Sequence, residues 1–525
     1  MTDRIALRLL QAGALGVVLA SVPYKAFDLD RFFVPKELVL NVGMLLIAVL
    51  CVIQCRRLAL ARADQLLAVW LSLGIISALF AQNPWLAERS VAVSLGGAAC
   101  FWCARWLSRA GHSRSLVAAL ACAGVVGATT ALFQAYGLRT ELFSLNRAPG
   151  GTFGNRNFMA HLCVITLPAL LYSGLRAPSK EALARWCGGA AIVTGALILS
   201  RTRAAWLALL VGLVVLVVAG AIAMRRNDGT MKLSRLIVLL GAAAAGGVAA
   251  LVIPNTLDWK SDSPYLDTAS SIVNYKGGSG HGRLIQYGNS LKMSLRHPLL
   301  GVGPGNWAVV YPKFASVEDP SLGQDGMTSN PWPSSDWVTF VSERGVIAAG
   351  ALALALLVLV VDGVRGLTRA PSTEERLSAS VLLATAVILV TVGAFDAVLL
   401  LPIGAFVGWS LLGALAAPSR ERVAFGVGPV RRGLAALAIM VVGLAATARS
   451  SGQLLAMSLY SASSRTAVLE RAVAADPGSY RIRLKMAQLY LGRGDCTHSR
   501  VHSLVARRLF PSAPAAKRVA AACGA

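Results

Sequence analysis

"GALILSRTRAAWLALLVGLVVLVV", residues 195–218, is apolar almost throughout, yet Arg201 and Arg203 sit in its middle. Read as one membrane span, it would leave two guanidinium groups in hydrocarbon, where each costs at least about 2.5–3.5 kcal/mol. Read as two spans meeting in a short turn, it puts both cations at an interface, where arginine reaches water. The second reading sets the fold class: an all-α, polytopic helical membrane protein.

Composition agrees. Of 525 residues, 56% are hydrophobic and only 14% charged, and the mean hydropathy is +0.62. A soluble chain carries roughly 25% charged residues. Apolar runs of about 18 residues, enough to cross a bilayer core, recur along most of the chain. They predict about 12–13 transmembrane helices, near 5–22, 36–54, 64–81, 89–106, 115–136, 158–175, 184–200, 204–224, 235–253, 337–361, 377–395, 397–417 and 433–448. The organisation is then nine spans in 1–253, a large polar loop at 254–336, further spans in 337–448, and a tail at 449–525. No small-residue cleavage site follows the first apolar run, so it is expected to remain as the first helix.

The net charge of +25 invites a nucleic-acid reading. Membrane topology accounts for it otherwise. With the N-terminus in the cytoplasm, the short loops on that side hold 20 Lys and Arg, among them Arg225, Arg226, Lys232, Arg420 and Arg422; those opposite hold 9. That is the positive-inside bias, and no nucleic acid is required. It puts the large loop, and the tail with it, outside the cytoplasm. Of nine cysteines, seven lie in or beside apolar runs, and the Cys100/Cys103 pair reads as two small buried hydrophobes. Cys496 and Cys523, in the tail, can pair if that region faces an oxidising compartment.

Three segments on the face of Arg201 and Arg203 carry polar groups. "APGGTFGNRNFMAHL" (148–162) offers glycines through which backbone can approach a ligand, and Asn155, Arg156 and Asn157 as donors. "GHGRLIQYGNSLKMSLRHPLLGVGPGNW" (280–307) reads as an amphipathic helix that begins with Arg283 and ends in a Gly/Pro turn. Its "GVGPG" lacks the βαβ setting of a dinucleotide site. "WPSSDWVTFVSERGVIAAG" (332–350) re-enters the membrane, with Asp336 at the mouth and Glu343 deeper, where it can pair locally with Arg344. Asp396, between the eleventh and twelfth spans, reads as an outer-loop residue rather than a proton carrier.

In this order, "GTFGNRNF", "SRTRAAW", the loop ending "HPLLGVGPGNW" and "SSDW…SERG" resemble the O-antigen ligase and polymerase superfamily over roughly residues 35–417. The resemblance implies a GT-C-like enzyme of the bacterial inner membrane, without cofactor or metal. It would transfer glycan from undecaprenyl diphosphate to a hydroxyl of a glycolipid, glycan or protein acceptor at the periplasmic face. The family's two arginines map onto Arg203, with Arg201 as the competing alignment, and onto Arg283. A leaving diphosphate suits arginine's planar, permanently charged fork. The family's His-Asn is replaced here by Ser334-Ser335, followed by Asp336. Asp336 then either serves as the acceptor's base or caps a helix, and His281 is a further candidate. Trp337 reads as an interfacial anchor, or as a surface on which sugar stacks. Two other classes remain open: a transporter or flippase of lipid-linked sugars, and an inactive membrane scaffold. The tail's amphipathic helices around "DPGSY" and "GRGDC" resemble one or two tetratricopeptide units, which can pack on the membrane domain or hold a protein partner.

Overall fold

The structure, a computed structural model, describes every residue except 1, 145, 225–232, 260, 271–277, 324, 417–422 and 525. Arg225, Arg226, Lys232, Arg420 and Arg422 of the charge-bias count therefore lie outside the described residues. The chain folds as helices α1 (Thr2–Leu19), α2 (Asp30–Gln54), α3 (Arg62–Ala78), α4 (Pro84–Leu107), α5 (Ser113–Ala135), α6 (Arg156–Leu175), α7 (Lys180–Ser200), α8 (Arg203–Met224) and α9 (Leu233–Val252). The large loop adds α10 (Pro264–Ser270), α11 (Gly278–Arg296) and α12 (Trp307–Val310). Helices α13 (Asp336–Arg369), α14 (Thr373–Phe395), α15 (Trp409–Leu415) and α16 (Pro429–Ala462) follow. The tail continues as α17 (Thr466–Ala475), α18 (Tyr480–Leu491), α19 (Cys496–Leu509) and α20 (Pro514–Ala522).

Among the described residues, nine helical stretches are long and apolar enough to cross a membrane. One of them, Pro84–Ala135, is α4 and α5 joined through a turn at Ser108–His112, where Gly111 takes φ 88°. Each of the thirteen expected spans falls on a helix. The expected spans outside the nine are α1, which carries Asp3, Arg4 and Arg8; α3, at 17 residues; and the short Gly404–Leu415 segment.

One end of the bundle is laced by charge. Asp64 and Arg105 pair at 2.7 Å while almost fully buried, His112 meets Asp3 at 2.9 Å, and Glu374 lies between Arg114 and Arg176. A two-stranded antiparallel ladder joins β1 (Arg57–Leu60) to β2 (Val423–Gly426) at the same end. The ladder returns the chain to this end between α2 and α16, which requires an even number of passes in between.

At the opposite end the large loop is clasped by α13. That helix opens at Gly345, whose φ 81° and ψ 168° are accessible essentially only to glycine. The freed carbonyls of Ser342 and Glu343 accept the amides of Val302 and Gly303, both at 2.9 Å, and Val346 donates to Pro298. Glu343 completes the clasp by accepting the amides of Gly305 (2.7 Å) and Trp307 (3.1 Å). Glu343 thus positions the loop's glycine turn, while Arg344 turns the other way, to Ser94 (2.6 Å) and the face of Trp70. An alanine Cβ at 345 would meet the Leu299 carbonyl oxygen at 2.0 Å. Gly345→Ala is therefore expected to destabilise the protein by about 1–3 kcal/mol, read as a lower thermal midpoint in detergent.

The tail packs on this loop end. Phe510 joins the cluster around Trp307 and Met293, Asn83 donates to the Leu509 carbonyl, and Phe27 meets Tyr460 edge to face. Arg449 binds Asp476 at 2.8 Å and covers Trp85. Cys496 and Cys523 form a disulfide between α19 and the end of α20.

Candidate functional site

The turn between α7 and α8 is built as its sequence requires. Ser200 bonds back to the Leu197 carbonyl, and Arg201 takes the left-handed conformation at φ 52° that ends α7. Thr202 then opens α8 by accepting the Trp206 amide. Arg201 is held in place by its Nε bond to Thr268 (2.9 Å) and by the face of Trp259, 4.6 Å from its guanidinium carbon. Arg156, at the start of α6, stacks over the same indole at 5.0 Å. Burial lowers the pKa of Arg201 from its ordinary value, against the pull of Tyr265 and Asp267. A cation that has lost much of its water gains from an anion beside it.

Asn155 caps α6 by accepting the Asn157 amide (3.0 Å). The Asn157 side chain links three elements: its Nδ2 donates to Asp396 (3.2 Å), and its Oδ1 accepts from Thr202 (3.3 Å). The loop is fastened here through α11. Gln286 accepts the Ser334 amide (2.8 Å) and donates to Ser321 (3.2 Å), while Tyr287 donates to the Ser334 and Ala394 carbonyls.

These elements enclose a cavity of about 750 Å³. Its lining includes Arg147, Arg156, Arg201, Arg203 and Arg283, and the one carboxylate among the described lining residues is that of Asp396. Five cations facing one anion make a strongly positive recess. A second polar cavity of about 660 Å³ adjoins it, shares Asn146, Arg147, Asn155, Ser329 and Asn330 with it, and extends to Arg31, Arg139 and Glu141.

The structure thus brings Arg201, Arg203, Arg283, Arg156, Asn155 and Asn157 to one recess. It does not bring Asp336, His281 or Trp337 into the lining. His281 is exposed, one residue before Gly282, which does line it. Trp337 donates to the Val390 carbonyl and packs on Phe340. Asp336 is fully buried and accepts the amides of Val398 (2.9 Å), Leu399 (2.9 Å) and Leu400 (3.3 Å). Its carboxylate holds the turn after α14, and the cap of α13 is Ser335, whose Oγ accepts the Val338 amide. Asp336→Asn would set an amide N–H₂ against backbone donors. It is expected to lower stability by about 1–3 kcal/mol, seen as an earlier melt, while the folded fraction keeps its activity.

The glycines of 148–154 face the protein's own chain. A Cβ on Gly151 would meet Thr130 at 2.2 Å and one on Gly154 would meet Phe32 at 2.2 Å, and the Gly150 and Gly151 amides both donate to Gln134. They permit close packing that seats Asn155 and Arg156. Asp396, which the sequence reads as an outer-loop residue only, lines the recess, and Trp259 is a residue that sequence reasoning missed. An acid closing the 23-residue apolar helix α14 was the available signal for Asp396; Trp259 had none.

Among the described residues, no group of three or more His, Cys, Asp and Glu is placed to hold a metal ion. Residues 188–353, from α7 through the large loop into α13, match the family model described as O-antigen ligase. No curated protein matches the chain.

Proposed function

We propose that this member of the O-antigen ligase and polymerase superfamily transfers glycan from a polyprenyl diphosphate to an acceptor hydroxyl, in the recess lined by Arg203 and Arg283. The convergence of five arginines around Asp396, the one carboxylate among the described lining residues, carries this reading. The acceptor oxygen attacks the anomeric carbon, and the bond from that carbon to the diphosphate oxygen breaks with its electron pair on the leaving group. Arg203, Arg283, Arg201 and Arg156 meet the charge that develops there, each through fixed N–H donors.

The acceptor's proton passes to Asp396, the carboxylate within the recess; Asp336, committed to three amides, takes the structural role. The adjoining cavity along Arg31, Arg139 and Arg147 accommodates the sugars beyond the reacting bond. We assign this end of the bundle to the periplasm of a bacterial inner membrane. Support comes from the basic excess of the opposite loops and from the Cys496–Cys523 disulfide, which suits an oxidising compartment.

The test is reconstitution of the full chain in vesicles with a polyprenyl-diphosphate-linked oligosaccharide and a glycan acceptor. Release of polyprenyl diphosphate coupled to growth of the acceptor is expected; an acceptor that stays unchanged over many donor equivalents overturns the reading. In cells lacking the protein, accumulation of long linked polymer identifies a ligase, and accumulation of single linked repeats a polymerase.

A further inference from the structure

Helix α6 carries His161 four residues after Asn157, on the same face. This histidine is 3% exposed, and both its ring nitrogens are buried without a hydrogen-bond partner. Buried polar groups in native proteins are almost always paired, and an exception calls for a reason. The immediate packing supplies none. Phe158, Leu162, Ile165, Val398, Leu401 and Val407 line a void of about 20 Å³ with the ring, and their side chains are apolar.

Asp396 is the carboxylate beside it. The His161 Nε2 stands 3.9 Å from Oδ2, beyond hydrogen-bond length, and Oδ2 is the oxygen that Asn157 reaches at 3.2 Å. Asp396 and Asn157 line the recess and His161 does not, so the imidazole meets the site only through this carboxylate. A carboxylate and an unprotonated Nε2 are both acceptors. They stand apart until a proton lies between them, and then they attract. The void beside the ring leaves it room to close the gap.

We infer that His161 and Asp396 form a pair that holds the acceptor's proton between carboxyl and Nε2, a role that rests on the glycan-transfer reading and deepens it. As the acceptor oxygen bonds to the anomeric carbon, its O–H bond breaks. The Asp396 carboxyl takes that proton and turns it to Nε2, and the proton returns to water through the recess once the product has left. His161 acts through Asp396 and touches no substrate. Arg283 is the other charged group that acts on the ring, and like charge repels an imidazolium. A diphosphate on Arg283 offsets that repulsion, so the pair takes the proton best with the donor bound.

Nitrogen-15 NMR of the full chain in nanodiscs, labelled at histidine, reads the pair without turnover. The ring is assigned by the signal that His161→Gln removes. In the wild type its nitrogens should shift as one proton enters between about pH 8 and pH 4. In Asp396→Asn, which shares no proton, they should stay unchanged through that range. A ring that is flat in both proteins, or that titrates alike in both, overturns the proposal. In the transfer assay, His161→Gln and His161→Phe should each lower kcat about tenfold or more, part of the roughly 10²–10⁴-fold carried by a proton-transfer step. The donor KM should stay near wild type, and neither change should lower kcat further in Asp396→Asn. Additive losses overturn the pair, and so does full turnover by Gln, which keeps an N–H near Nε2 but takes no proton. A wild-type chain that transfers nothing defeats the wider reading instead, and the titration still decides the pair.

Discussion

Arg203→Ala and Arg283→Ala should each reduce glycan transfer by about 10²–10³-fold or more, the cost of removing one aimed donor from a developing oxyanion. Both side chains are half-buried and line the same recess, one from the first turn of α8 and the other from α11. The recess holds five guanidiniums against one carboxylate among its described lining residues, so deleting one cation leaves most of its charge in place. Protein level and membrane insertion should therefore be unchanged, measured by immunoblot of washed membranes beside the transfer assay. Lysine at either position should restore only part of the loss, because a point charge cannot reproduce a two-pronged contact with phosphate oxygens. Near-normal transfer by both alanine variants would remove the diphosphate from this recess.

The second large effect is expected at Asp396. Asn at this position is nearly isosteric. Its one amide oxygen can still accept from Ala397, as Oδ1 does at 2.9 Å. Its NH₂, in place of the oxygen that accepts from Asn157 at 3.2 Å, can donate to that side chain once the Asn157 amide turns over. It cannot take a proton. If Asp396 receives the acceptor's proton, Asp396→Asn should lower kcat by about 10²–10⁴-fold and leave the donor KM close to wild type. Exogenous formate should recover part of the rate in Asp396→Ala, where the vacated space admits a small carboxylate. A role limited to bracing Asn157 predicts the opposite pattern: near-normal turnover for Asn and no rescue of Ala.

The bundle was legible because bilayer thickness imposes a length on every apolar run. The paired arginines at 201 and 203 were legible for a related reason, since charge within such a run forces a turn there. Arg203 and Arg283 came from their place in an order of motifs, and the structure sets them in one cavity. What escaped the sequence depends on contacts between distant segments. Asp396 joins the recess only because the end of α14 lies against the start of α6, so that Asn157 reaches it. Asp336 follows a re-entrant loop and so looks like a site residue, yet the turn at 398–400 claims both its oxygens. The glycines of 148–154 advertise close approach without saying to what, and the partners turn out to be Phe32, Thr130 and Gln134.

Arg201 sits at φ 52°, a backbone state that costs a side-chain-bearing residue about 1 kcal/mol and glycine almost nothing. Glycine here would relieve that strain but forfeit the Thr268 bond and the Trp259 contact, so the turn tolerates a strained backbone in exchange for holding a guanidinium at a fixed point on the wall of the recess. Arg201→Gly should therefore change stability little while removing one positive charge from that wall.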